Sequence, residues 1–139
     1  MANREEKQAY IDEMAKKRGY VLDYHKVMTE HDFEVLQATN NLVSAAYLEE
    51  RRLDRKTKEL IFIVSLTVLR ASKGHIQSHI RVALDLGVSK EEILEAIEIT
   101  LPEAGVVVFQ EGFDAWREVV GAEGIEPSVE VYGGGSGSR

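Results

Sequence analysis

Residues 60–69, Leu-Ile-Phe-Ile-Val-Ser-Leu-Thr-Val-Leu, are apolar nearly all round when wound at helical periodicity. A helix of that kind has to be covered on every side. One small domain of short helices barely supplies the cover, so the segment calls for self-association as well as folding. At about half the length of a bilayer span, and interrupted by Ser65 and Thr67, it reads as a buried helix and not a membrane segment. Residues 1–18 are charged throughout and lack an apolar h-region, so no secretory leader is expected.

The rest of the chain is punctuated like a helical protein. It has 2 prolines, and most of its 11 glycines stand at the edges of periodic segments. Asn3 is placed to cap a first helix over residues 4–18, which Gly19 stops. A second helical region covers 21–28 and then 32–48, with its break at His31 or Asp32. Asp54 opens a third helix to about residue 70, and Gly74 stands at the start of a fourth that ends at Gly87. Ser89-Lys90-Glu91-Glu92 is a capping box for a fifth helix reaching about Thr100. Pro102 starts or kinks a last helix carrying residues 106–120.

Before the tail, no window alternates as a half-buried strand would. The expectation is therefore all-α: a single-domain bundle of about six helices over residues 1–132, in a chain of 139. A chain of this size buries roughly two-thirds of its unfolded surface and needs no staples. Residues 133–139, Gly-Gly-Gly-Ser-Gly-Ser-Arg, read as a flexible tail added for expression.

Composition narrows the function. The net charge of −7 makes the chain a poor partner for nucleic acid or for an anionic membrane surface. There is no cysteine, which removes disulfides, thiolate nucleophiles and thiolate metal ligands together and suits a reducing cytoplasm.

The chemistry-bearing residues fall on the third and fourth helices. Glu59 shares a face with Phe62, Ile63 and Leu66, which makes it half-buried. In the fourth helix His75, His79, Val82 and Leu86 fall within about 60° of one another on a helical wheel. Lys73, Gln77, Arg81 and Asp85 lie opposite. Two imidazoles on an apolar face need partners for four ring nitrogens, and Glu59 is the obvious carboxylate to orient one of them. Three readings compete: satisfied core histidines, a proton-transfer pair, or a metal site. The last has only Glu59 as a third ligand and no HExxH motif, so neither metal nor cofactor is expected. His25 and His31 stand in a polar stretch and are expected on the surface.

Residues 53–61, Leu-Asp-Arg-Lys-Thr-Lys-Glu-Leu-Ile, and residues 79–97, from His79-Ile80-Arg81 through Gly87-Val88-Ser89 to Glu95-Ala96-Ile97, carry a resemblance. They resemble the carboxymuconolactone decarboxylase and alkylhydroperoxidase D family, strongly over 53–100 and more loosely over 20–52 and 101–120. The resemblance implies an all-α fold assembled as a homotrimer or homohexamer. In the peroxidase branch the pattern is Glu, then Cys-x-x-Cys, then His, and Glu59 and His79 match its outer members. Counted back from His79, the cysteine positions fall on Ser72 and His75; counted forward from Glu59, the first falls on Ala71. No thiol stands at any of them, so thiol peroxidase chemistry is excluded.

The decarboxylase branch needs none. Its implied reaction is loss of CO2 from a small carboxylated, lactone-like molecule with a proton moved to a ring carbon. His75 and His79, with Glu59, are the candidates for the proton transfer. Arg70 and Lys73, with Ser72 beside them, are candidates to hold the substrate carboxylate, against the plainer reading of solvated helix-end charge. The competing function is a catalytically silent helical oligomer, a binding protein or an assembly scaffold.

Overall fold

Helix ends in this chain are fixed locally. In a computed structural model, which describes residues 1–132, Asn3 caps α1 (Arg4–Arg18) through a complete capping box. The Glu6 amide donates to Asn3 Oδ1 at 2.9 Å and the Asn3 amide to Glu6 Oε2 at 3.0 Å. Gly19 closes the helix at φ 88°, a left-handed conformation that favours glycine. α2 (Asp23–His31) and α3 (Phe33–Val43) follow, separated at Asp32. A π-helical turn, Ser44–Leu48, comes next, then α4 (Arg55–Val68), whose start is capped by Asp54 Oδ1 accepting from the Thr57 amide at 2.7 Å.

α5 (Lys73–Asp85) has Ser72 as its cap, and α6 (Lys90–Glu98) opens on the expected Ser89–Glu92 capping box with both bonds at 3.0 Å. The short α7 (Thr100–Ala104) and α8 (Val106–Val120) complete the chain. The described residues form helices and connections only, so the fold is all-α. The tail expected at 133–139 lies outside the described residues.

Two local expectations are corrected. The helix expected to run unbroken over 32–48 widens into the π turn at Ser44. The last helix begins after Gly105, at φ 90°, and not at Pro102, which sits in the first turn of α7 where no amide hydrogen is required.

The chain divides into two compact units, 1–59 and from Leu60 onward. In the first, Ile11, Met14, Leu36 and Tyr47 are buried together with the polar side chains of Arg18, His25, Thr29 and Glu59. In the second, Ile63, Leu66, Ile76, Ile80, Ala83, Val88, Ile93, Ile97, Ala115 and Trp116 form one core. Gly112 lets α8 approach closely: a β-carbon there would stand 2.7 Å from Thr67 Oγ1 and 2.9 Å from Ile97 Cγ2. The run 60–69 is only partly covered within the chain. Ile63 and Leu66 are buried, but Ile61, Val68 and Leu69 are 50%, 44% and 76% exposed. No helix among the described residues is long and apolar enough to cross a membrane.

Candidate functional site

The first unit builds a polar network around one carboxylate. Glu59, expected half-buried, has no exposed surface at all. A carboxylate in that position is held only if it is paired. Tyr47 donates its phenol hydrogen to Glu59 Oε1, and Arg55, one helical turn before Glu59, donates Nε–H to the same oxygen at 2.8 Å. Arg55 also donates from Nη2 to Tyr47 Oη and to the Arg18 carbonyl, at 2.9 and 2.8 Å. The second of these bonds satisfies a carbonyl at the C-terminus of α1, where intrahelical partners run out. The guanidinium lies 4.5 Å from the Tyr47 ring centroid. Tyr20 is close to this network, and burial raises its phenol pKa, so it stays protonated.

Neither Tyr47 nor Arg55 is expected beside Glu59 from the sequence alone. Arg55 stood in plain view at i−4, the helical spacing for an ion pair. Tyr47 could not be found that way, because a π turn carries no periodic mark and presents Tyr47 at a register that 3.6-residue winding does not give.

His25 is also corrected. It is 1% exposed, not on the surface, because it occupies the third position of α2 and turns its ring back on the chain. The Leu22 amide donates to His25 Nδ1 at 3.0 Å, so the imidazole does the work a Glu or Gln does in a capping box. His31 is exposed, as expected.

The second unit holds the two histidines of α5. His79 is fully buried, and its ring stacks on Phe62 with centroids 4.6 Å apart and planes within 3°. His75 lies one turn earlier and is half-buried, its ring centroid 5.6 Å from that of His79. Desolvation first, and the neighbouring His79 second, push the His75 pKa below the ordinary imidazole value. The arrangement is a stacked inner imidazole and a half-exposed outer one, suited to passing a proton between solvent and an apolar interior.

Gln77, expected on the wet side of α5, is buried because α8 packs there; its Nε2 donates to the Ala115 carbonyl at 3.3 Å. The same packing accounts for the expected substrate-binding residues. Lys73 Nζ meets Glu118 Oε2 at 3.0 Å, and Arg70 Nη2 meets Glu111 Oε1 at 3.3 Å. Ser72 accepts the His75 amide at 3.3 Å as the helix cap. Each of the three therefore has a structural partner. Arg70 is also the one non-glycine among the described residues at positive φ, 57°, where α4 gives way to α5. Among the described residues, no group of three or more His, Asp or Glu side chains is placed to hold a metal ion.

An all-helical chain with a buried Glu on one helix and His79 on the next fits a known class. Residues 34–118, more than half of the chain, match the sequence model of the carboxymuconolactone decarboxylase family. The chain belongs to this family. No curated protein and no solved structure matches it significantly.

Proposed function

We propose that the protein is a cofactor-independent lyase or isomerase that moves a proton on a small carboxylated, lactone-like substrate. The observation that carries this reading is the histidine pair, one ring sealed against Phe62 and the other half-exposed with a lowered pKa. In the proposed reaction the bond between the carboxylate carbon and the ring breaks and CO2 departs. Its electron pair spreads into the unsaturated lactone, and the ring carbon then takes a proton. A neutral imidazole can relay that proton, accepting on one nitrogen while giving from the other. His79 is proposed as the inner donor and His75 as its link to solvent, with Glu59 a third catalytic candidate on the strength of the family's sequence pattern. Without cysteine the chain has no thiol route to compete.

The test is release of CO2 from a panel of unsaturated lactone acids. His79→Gln and Glu59→Gln should each lower kcat by about 10²-fold or more, the range of general acid–base contributions, with the far-ultraviolet spectrum unchanged. Turnover that survives His79→Gln would rule the reading out.

The second reading, a catalytically silent oligomer, is favoured by one observation. Arg70 and Lys73, the expected carboxylate anchors, are already matched by Glu111 and Glu118. In either reading we propose self-association as a homotrimer or homohexamer in the cytoplasm, supported by the apolar side chains left exposed on α4.

A further inference from the structure

The segment between the π turn and α4 supplies two cations that are not already engaged. Residues 49–54 carry Arg51 and Arg52, both exposed. Neither forms a side-chain hydrogen bond or ion pair among the described residues. They line a cleft of about 690 Å³ with Ala46, Glu50, Leu53 and Lys58. That size lies inside the range of roughly 300–1,000 Å³ common to small-molecule sites.

Three cations face one carboxylate in this cleft, in a chain whose net charge is −7. Lys58 is fixed in place: Nζ donates to the Tyr47 and Glu49 carbonyls at 3.4 and 3.3 Å, and an ammonium has a third hydrogen to offer. Ala46 and Leu53 add apolar surface. A second hollow of about 330 Å³ shares Arg51, Arg52 and Lys58 and brings in Tyr47 and Arg55, which bond Glu59, together with the carboxylates of Glu49 and Asp54.

We infer that this cleft binds a small organic anion, with Arg51 and Arg52 as its anchors. A guanidinium meets a carboxylate or a phosphate through two parallel N–H···O bonds, which a lone ammonium cannot do. The apolar share of the lining selects an organic anion over an inorganic one. The inference goes beyond the proposed lyase reading and does not depend on it: its anchors are Arg51 and Arg52, and Arg70 and Lys73 have no part in it.

The test is calorimetric titration of the full chain with phthalate, with phenyl phosphate, and with uncharged dimethyl phthalate. Either anion should bind saturably at one site, and the neutral ester should not. Binding should weaken at least tenfold in the Arg51→Gln/Arg52→Gln variant and stay within twofold in Arg70→Gln/Lys73→Gln. Both Arg51 and Arg52 are exposed, so the first variant should keep the parent's thermal midpoint. Tighter binding of phthalate identifies a carboxylate ligand; tighter binding of phenyl phosphate identifies a phosphate ester at the same anchors. Failure of both anions to saturate, or equal binding by the Arg51→Gln/Arg52→Gln variant, would overturn the inference. Turnover is measured separately: a chain that binds through Arg51 and Arg52 but releases no CO2 keeps the cleft and loses the lyase.

Discussion

His75 gives the molecule a pH dependence whose sign follows from its surroundings. Its pKa in the folded chain is lowered, first by desolvation and then by His79. Between the folded and unfolded values the unfolded chain binds more protons, so stability is full above about pH 6.5 and is lost as pH falls toward the folded value. Urea midpoints at about pH 7.5 and about pH 5.5 should differ less in His75→Gln than in the parent; an equal difference would remove His75 as the cause. Gly112 sets two effects against each other. Alanine in a helix interior is favoured over glycine by roughly 0.5–1 kcal/mol, but overpacking a core costs about 1–3 kcal/mol. Crowding should win, because the Thr67 side chain in its path is buried and tied to the Ile63 carbonyl at 2.7 Å. Gly112→Ala should therefore lower the thermal midpoint by several degrees. Gly74→Ala, with nothing within 4 Å of its β-carbon, should leave it level or raise it.

At the level of elements, the caps are where local sequence decides most. Removing the Ser89 hydroxyl leaves the Glu92 amide at the start of α6 without its acceptor, and Ser89→Ala should cost about 1 kcal/mol in chemical denaturation. Asn3, Asp54, Ser89 and Gly19 were legible for the same reason: each acts within about four residues of itself. The features that escaped all depend on contacts made elsewhere in the fold. The π turn inserts its extra residue without any compositional sign, and with it went the Tyr47–Glu59 bond. Gln77 sits where the helical wheel of α5 alone says water, but α8 covers that side. His25 reads as polar surface until its ring is seen to accept the Leu22 amide. Periodicity reports which residues want to be inside; it does not report which partner arrives to let a polar one in.

At the scale of the whole molecule, several large apolar side chains among the described residues stay exposed. In the second unit Leu69, Val106, Val107 and Ile99 are 76%, 60%, 63% and 57% exposed, beside Ile61 and Val68. The proposed trimer or hexamer would bury such side chains at about 25 cal/mol for each Å² of apolar surface removed from water. Light scattering at micromolar concentration should return a multiple of three chain masses, and Leu69→Glu should shift it toward the monomer without loss of helix; a monomeric parent would end the proposal. The aromatic side chains are also divided between the two units. Trp116, the one tryptophan, lies in the core of the second unit with its indole N–H on the Lys90 carbonyl at 2.9 Å. Of the 5 tyrosines, Tyr10, Tyr20, Tyr24 and Tyr47 all belong to the first unit. The protein is thus colour-coded for spectroscopy: indole emission follows one unit, and phenol absorbance chiefly follows the other. A single denaturation experiment read at both wavelengths distinguishes one cooperative transition from two staggered ones, with no label attached.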